Sequence, residues 1–186
     1  SVMLNGYYTQ WMDKSVTKAI GSWNGPRACI PNIDARHMGI ELEASYQPLE
    51  WLRVYGFFTI GNWRWTNDVN FTLFNEQNEK IGEYHAYIKN LHVGNAPQTS
   101  AMLGLSCMPV SGLTLGVDFN YYGRHYADFA AADRTDEKDR AEAWKLPDYS
   151  TVDLNLNYDF KMGTFQGQLF GNVNNLFNRK YISDAL

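Results

Sequence analysis

The feature that most narrows the fold is a two-residue period held over unusually long segments. In TVDLNLNYDF, Val152, Leu154, Leu156, Tyr158 and Phe160 share one face, and Asp153, Asn155, Asn157 and Asp159 share the other. LTLGVDFNYYG divides in the same way, with Leu113, Leu115, Val117, Phe119 and Tyr121 opposite Thr114, Gly116, Asp118, Asn120 and Tyr122. GIELEASY sets Ile40, Leu42, Ala44 and Tyr46 against Glu41, Glu43 and Ser45. Successive side chains of a strand point to opposite faces, so each segment reads as a strand with one apolar and one polar side.

The pattern marks about seven strands: Val2 to Asp13, Ala35 to Gln47, Leu52 to Thr66, Gln98 to Met108, Leu113 to Tyr126, Thr151 to Lys161 and Phe165 to Phe177. Most run to ten residues or more, where a strand of a soluble domain has about five or six. Their connections alternate between short and long. PLEW, PVSG and MGT are turn-like, whereas Lys14 to Asp34, Asn67 to Pro97 and Ala127 to Ser150 are long. This predicts an all-β, antiparallel up-and-down meander, part of a large transmembrane β-barrel with short periplasmic turns and long extracellular loops. A tilted strand of about ten residues spans the hydrocarbon layer. No apolar run is long enough for a membrane helix, and SVMLNGYYTQ lacks the layout of a signal peptide.

Alternation alone leaves the wet face open. A soluble β-sandwich or lectin-like binding module would bury the Val152 and Leu154 face, whereas a barrel wall would turn it to lipid and line a lumen with Asp, Asn and Glu. Strand length, loop asymmetry and aromatics near strand ends (Tyr46, Trp51, Tyr121, Tyr158 and Phe160) favour the membrane wall. A small self-contained barrel needs an even strand count, and seven is odd. The expectation is therefore a C-terminal segment, residues 1–186, of a longer barrel, with the chain ending inside an outer loop at Leu186.

On these grounds the closing stretch becomes informative. Asn175-Leu176-Phe177-Asn178-Arg179-Lys180-Tyr181 resembles the NLFN/D-x-x-Y signature of TonB-dependent outer-membrane receptors, and GNWRWTNDV and VGNAPQTSAMLGL resemble segments of such receptors of the Bacteroidetes type. The resemblance implies a barrel of 22 strands in the Gram-negative outer membrane, with a plug domain and a final strand outside this chain. It also implies import of a siderophore, a vitamin or an oligosaccharide, driven through TonB. Its partners would be outer-membrane lipid, the imported ligand, TonB through the absent N-terminal part and, at the surface, a lipoprotein.

No residue pattern points to catalysis or a cofactor. His37, His85, His92 and His125 lack the spacing of a zinc site, and no nucleophile elbow or phosphate-binding loop is present. Asp133, Asp136, Glu137 and Asp139 are interrupted by Arg134, Lys138 and Arg140, which favours a solvated loop helix over a calcium site. Cys29 and Cys107 are isolated, and the net charge of −4 without a basic cluster argues against nucleic acid. Ligand contact is assigned instead to aromatic residues at the outer strand ends: Trp63 and Trp65, two apart on the third strand, and Tyr122, His125, Tyr126 and Trp144 at the end of the fifth strand and its following loop.

Overall fold

The computed structural model describes residues 1–20 and 25–185. Nine strands follow in order: β1 (Val2–Ala19), β2 (Arg27–Leu49), β3 (Leu52–Trp65), β4 (Val69–Phe74), β5 (Lys80–Ala86), β6 (Pro97–Val110), β7 (Leu113–His125), β8 (Tyr149–Met162) and β9 (Phe165–Val173). Every pairing is antiparallel, and β1-β2-β3-β6-β7-β8-β9 form one continuous wall of the seven strands expected. The turns at one end pair Leu49 with Leu52, Val110 with Leu113 and Met162 with Phe165.

The long connections are more structured than the sequence reading held. β1 and β2 continue through much of Lys14 to Asp34, pairing as far as Ala19 with Arg27. Residues 21–24 of that connection, and the chain end at Leu186, lie outside the described residues. Asn67 to Pro97 contains the β4–β5 hairpin, which joins the far end of β2 through Arg27 with Phe74 and Cys29 with Thr72. The expected helix in Asp133 to Lys145 does not form. A 3-10 turn at Ala131–Asp133 is followed by turns in which Asp136 and Asp139 accept the backbone N–H of Lys138 and Ala141, a local competition that disfavours helix. Cys29 and Cys107 are free thiols.

The register puts Val54, Leu105, Val117, Leu154 and Val173 side by side on one face, and Tyr55, Gly104, Asp118 and Asp153 on the other. The apolar face is the bare one: Leu103 is 58% and Phe119 48% exposed, whereas Asp118 and Asn155 are half-buried. That polarity is the reverse of a soluble sandwich, whose apolar face would be buried. On the polar face Tyr55 donates to Asp118 (2.7 Å), as does Asn155 (2.6 Å), and Asn120 donates to Asp153 (2.8 Å). Gly104 makes the first contact possible, since a Cβ there would lie 2.4 Å from the Tyr55 ring.

A buried apolar core exists at the loop end, not in the wall. Ile30 and Ile33 of β2, Phe71 of β4, and Ile88, Leu91 and Phe129 of the connections pack together as a cap. Each such side chain removed from water contributes about 1.5–3 kcal/mol. Lys18 ties β1 to this cap through an ion pair with Asp128, with its ammonium 3.7 Å from the centre of the Phe129 ring.

The final strand ends at Val173, earlier than the expected Phe177, because Asn175 and Asn178 adopt left-handed backbone (φ 52° and 50°). Asn175 holds this turn: its N–H donates to Asp153 (2.7 Å), its Oδ1 accepts the Arg179 N–H (2.7 Å), and its Nδ2 donates to the Arg179 carbonyl (2.9 Å). Asn175→Ala should cost about 1–2 kcal/mol from the left-handed penalty together with roughly 0.5–1.5 kcal/mol per lost hydrogen bond, whereas Asn175→Gly should incur only the second loss. Heat-modifiability on gels of the folded protein should therefore rank wild type above Gly above Ala.

Candidate functional site

Three successive rungs of the polar face, at the loop end of β1, β2 and β3, bring aromatic residues together. The register aligns Tyr7 with Gly39 and Gly61, Thr9 with His37 and Trp63, and Trp11 with Ala35 and Trp65. The glycines set the arrangement of the first two rungs. A Cβ at Gly39 would stand 2.6 Å from the Tyr7 hydroxyl, and one at Gly61 would stand 2.7 Å from Trp63 Nε1. Both rings lie across bare backbone, and β-carbons there would collide with them.

Trp63 Nε1 donates to the Tyr7 hydroxyl (2.8 Å), and Trp11 Nε1 donates to His37 Nδ1 (2.8 Å). The second bond makes Nδ1 an acceptor, so neutral His37 carries its proton on Nε2. The His37 ring stands edge-on to Trp63 at 5.4 Å and to Trp11 at 6.4 Å. Glu41, which accepts from Asn5 Nδ2 (3.1 Å), and Val93 and Ala96 from the segment before β6 complete a pocket of about 400 Å³. It is apolar with a few polar edges, the make-up of a small-molecule site.

Trp63 is also fixed through its backbone. Its N–H donates to Gln98 Oε1 (2.9 Å), and Gln98 Nε2 donates to the Trp63 carbonyl (3.0 Å) and the Val93 carbonyl (3.3 Å). The Gln98 side chain is fully buried and takes the place of a strand partner where the β3–β6 register ends at Ile60 and Thr99.

The residues chosen from sequence do not converge on one pocket. Trp63 lines it, but Trp65, one rung nearer the loops, packs edge-on against Phe129 at 5.7 Å beside the cap core. Tyr122 joins a separate group, 4.9 Å from Tyr149, which stacks on Tyr181 at 4.1 Å. His125 is 3% exposed, and Tyr126 is buried beneath His92, ring on ring at 4.0 Å. Trp144 is 57% exposed, with its carbonyl accepting the Ala127 N–H (2.8 Å). Tyr7, Trp11, His37 and Glu41 are not among the residues that the sequence marks as ligand contacts. They lie on the polar side of their strands, but only the β1–β2–β3 register places them beside Trp63.

Above the wall, neutral His92 donates Nδ1–H to Glu142 (2.7 Å), which also accepts the backbone N–H of His92 and of Ala143 (3.0 Å each). Burial depresses the His92 imidazole below its ordinary 6.5 despite the pull of Glu142. Burial pushes the Glu142 carboxyl upward, but the two N–H donors and the His92 ring outweigh it and hold it below 4.5. Both groups bind protons more readily in the unfolded chain. Their stabilisation is therefore full above about pH 6.5 and is lost on acidification, first by His92 and then, below about 4.5, by Glu142. Amide exchange at residues 91–93 and 142–146 should accelerate as pH falls from 7 to 4 once corrected for intrinsic rates, and Glu142→Gln should remove the lower step.

With this geometry established, comparison with known proteins gives two findings. The family model described as TonB dependent receptor-like, beta-barrel, matches residues 1–176. The ferrichrome outer membrane transporter/phage receptor of Escherichia coli (strain K12) is 33% identical over 78 residues, which is 41% of this chain and 9% of that protein. The chain thus matches a small part of its curated relative.

Proposed function

The chain belongs to the TonB-dependent receptor β-barrel family, and from that membership we propose that it forms part of the wall of a transporter importing a scarce solute with TonB-transduced energy. It resides in the outer membrane of a Gram-negative cell, and its family is one of receptors and transporters, not enzymes. The soluble-module alternative is set aside by that membership and by the bare apolar face. That face meets lipid, and the face carrying Asp118, Asn155 and the aromatic pocket meets the water-filled lumen.

The observation that carries the reading is the pocket of Tyr7, Trp11, His37 and Trp63, placed beside the loop cap on the face turned away from lipid. Solute arriving through the loops stacks there before the plug, a part of the parent receptor outside this chain, is moved by TonB. Siderophores, vitamins and oligosaccharides all offer flat or ring-shaped groups for such a surface. Of the residues chosen from sequence, Trp63 is the contact we retain foremost. Tyr122 is a second lumen contact, Trp65 acts by supporting the cap, and His125 and Tyr126 are buried, Tyr126 beneath His92. Trp144 is a surface contact for an arriving solute or a lipoprotein partner.

In the parent receptor, Trp63→Ala should lower energised uptake at least tenfold while costing only about 0.5–1.5 kcal/mol for the lost hydrogen bond to Tyr7, whereas Trp65→Ala, which removes a half-buried ring from the cap core, should destabilise the cap by up to about 3 kcal/mol. Uptake assays with and without a protonophore, alongside thermal unfolding, separate these outcomes; unchanged uptake in Trp63→Ala would overturn the assignment of the pocket. The facing of the wall is tested separately. Leu154→Arg should cost about 2–4 kcal/mol in bilayer folding titrations, and Asn155→Arg, one residue along, much less.

A further inference from the structure

The pocket holds its two indoles in different ways. Trp63 is gripped twice, by its Nε1–H bond to the Tyr7 hydroxyl (2.8 Å) and by the Gln98 amide on its backbone. Neither hold involves a group that changes charge between about pH 5 and 8. Trp11, on β1, is 42% exposed, so packing does not enclose it. Its indole N–H donates to His37 Nδ1 (2.8 Å). The backbone beside it is irregular: the β1–β2 register shifts after Trp11, Asp13 turns left-handed (φ 55°), and the Asp13 N–H donates to Asp34 (2.8 Å). Just past this bulge the Lys14 ammonium lies over the Trp11 ring, 3.6 Å from its centre.

An indole N–H can only donate, so the Trp11 bond exists only while His37 Nδ1 carries a lone pair. Proton uptake by the imidazole sets N–H against N–H. Turning the ring over does not restore the bond, because the cation has no acceptor on either nitrogen. The charged and titratable groups around His37 are Lys14 and the Tyr7 hydroxyl from β1, Glu41 on its own strand, and Arg124 of β7, whose guanidinium is held at the Gly61 carbonyl (2.8 Å) one rung away. Lys14 and Arg124 are cations, and the Lys14 charge acts directly on His37. Glu41 lies four residues along β2, about 13 Å of extended backbone, and accepts from Asn5 (3.1 Å). The latched arrangement of Trp11 binds one proton fewer than the released one, so it prevails at neutral pH and is lost on acidification.

We propose that His37 is a positioning residue that fixes Trp11 in the pocket only while its imidazole is uncharged, so that the site presents two indoles at neutral pH and one in acid. This deepens, and rests on, the reading that the pocket takes up the arriving solute. The pocket then responds to the acidity of the medium outside the cell through one side chain of its own wall, with Trp63 as the fixed half and Trp11 as the movable half.

The test is NMR of the indole N–H signals in the solute-free parent receptor, labelled with isotopic tryptophan in detergent micelles, with the Trp11 signal assigned by its loss in Trp11→Phe. From about pH 7.5 to about pH 5, across the ordinary imidazole value near 6.5, the Trp11 signal should move from a bonded to an unbonded position and its ring should gain mobility, reversibly. His37→Asn, which sets an acceptor that does not titrate close to the place of Nδ1, should hold the signal at the bonded position throughout, and His37→Ala at the unbonded one. The Trp63 signal, bonded to Tyr7, should stay constant in every variant and shows that the wall is folded. A wild-type Trp11 signal that keeps its bonded position at pH 5, or one that moves equally in His37→Asn, overturns the proposal. Energised uptake by Trp63→Ala at pH 7.5 tests the underlying reading separately: unchanged uptake there sinks the solute site, whatever the Trp11 signal does.

Discussion

A sheet with hydrocarbon against one face has no water there to satisfy an unpaired backbone group, and each such group costs several kcal/mol. The antiparallel ladder of the wall is therefore the constraint from which the rest of this structure follows. It explains strands of 13 and 14 residues in β7 and β8, since pairing must persist across the whole apolar layer. It also explains the two-residue turns at one end, which return the chain with little backbone left unpaired. Where the ladder stops at the loop end, side chains take over: the Gln98 amide at Trp63, and Asn175 at the end of β9.

Once backbone pairing holds the wall, its two faces are free to serve different solvents. The outer face needs only apolar surface and no close packing, so Leu103, Leu105 and Phe119 stand bare. The inner face spends its polar groups on one another, as in the Tyr55–Asp118–Asn155 group. The packing that a soluble protein would place at its centre is moved to the cap, where Ile30, Phe71, Ile88 and Phe129 meet water-excluding neighbours. The pocket lies where these two regimes adjoin, with floor and sides from the wall and with Val93 and Ala96 from the segment leading out of the cap.

The wall was legible because its signal is local: a period of two, turn residues and strand length can each be read along a single segment. The β4–β5 hairpin is not legible although Val69, Phe71 and Leu73 alternate, because six residues within a long polar connection give a weak periodic signal beside ten-residue strands. The extension of β1 and β2 is hidden by Lys14, Lys18 and Arg27, charges that interrupt the apolar alternation although Lys18 is turned in to Asp128 and Phe129 and Lys14 lies over the Trp11 ring. The site was legible only in part. Trp63 could be nominated by type and position, but its company depends on cross-strand register. Trp65 and Tyr126 show the converse, since an aromatic residue at a strand end can pack against the cap core, as Trp65 does, or stack beneath a loop histidine, as Tyr126 does beneath His92, and no single segment reveals either.

The Gln98 clamp has a mechanical consequence. Trp63 presents its indole to the pocket while both its backbone N–H and its carbonyl are gripped by one buried amide, which reaches Val93 as well. That one side chain ties β3 both to β6 and to the Val93 segment that leads from the cap, so the indole, the neighbouring strand and the loop end of the wall are held in a single register by three bonds of one amide.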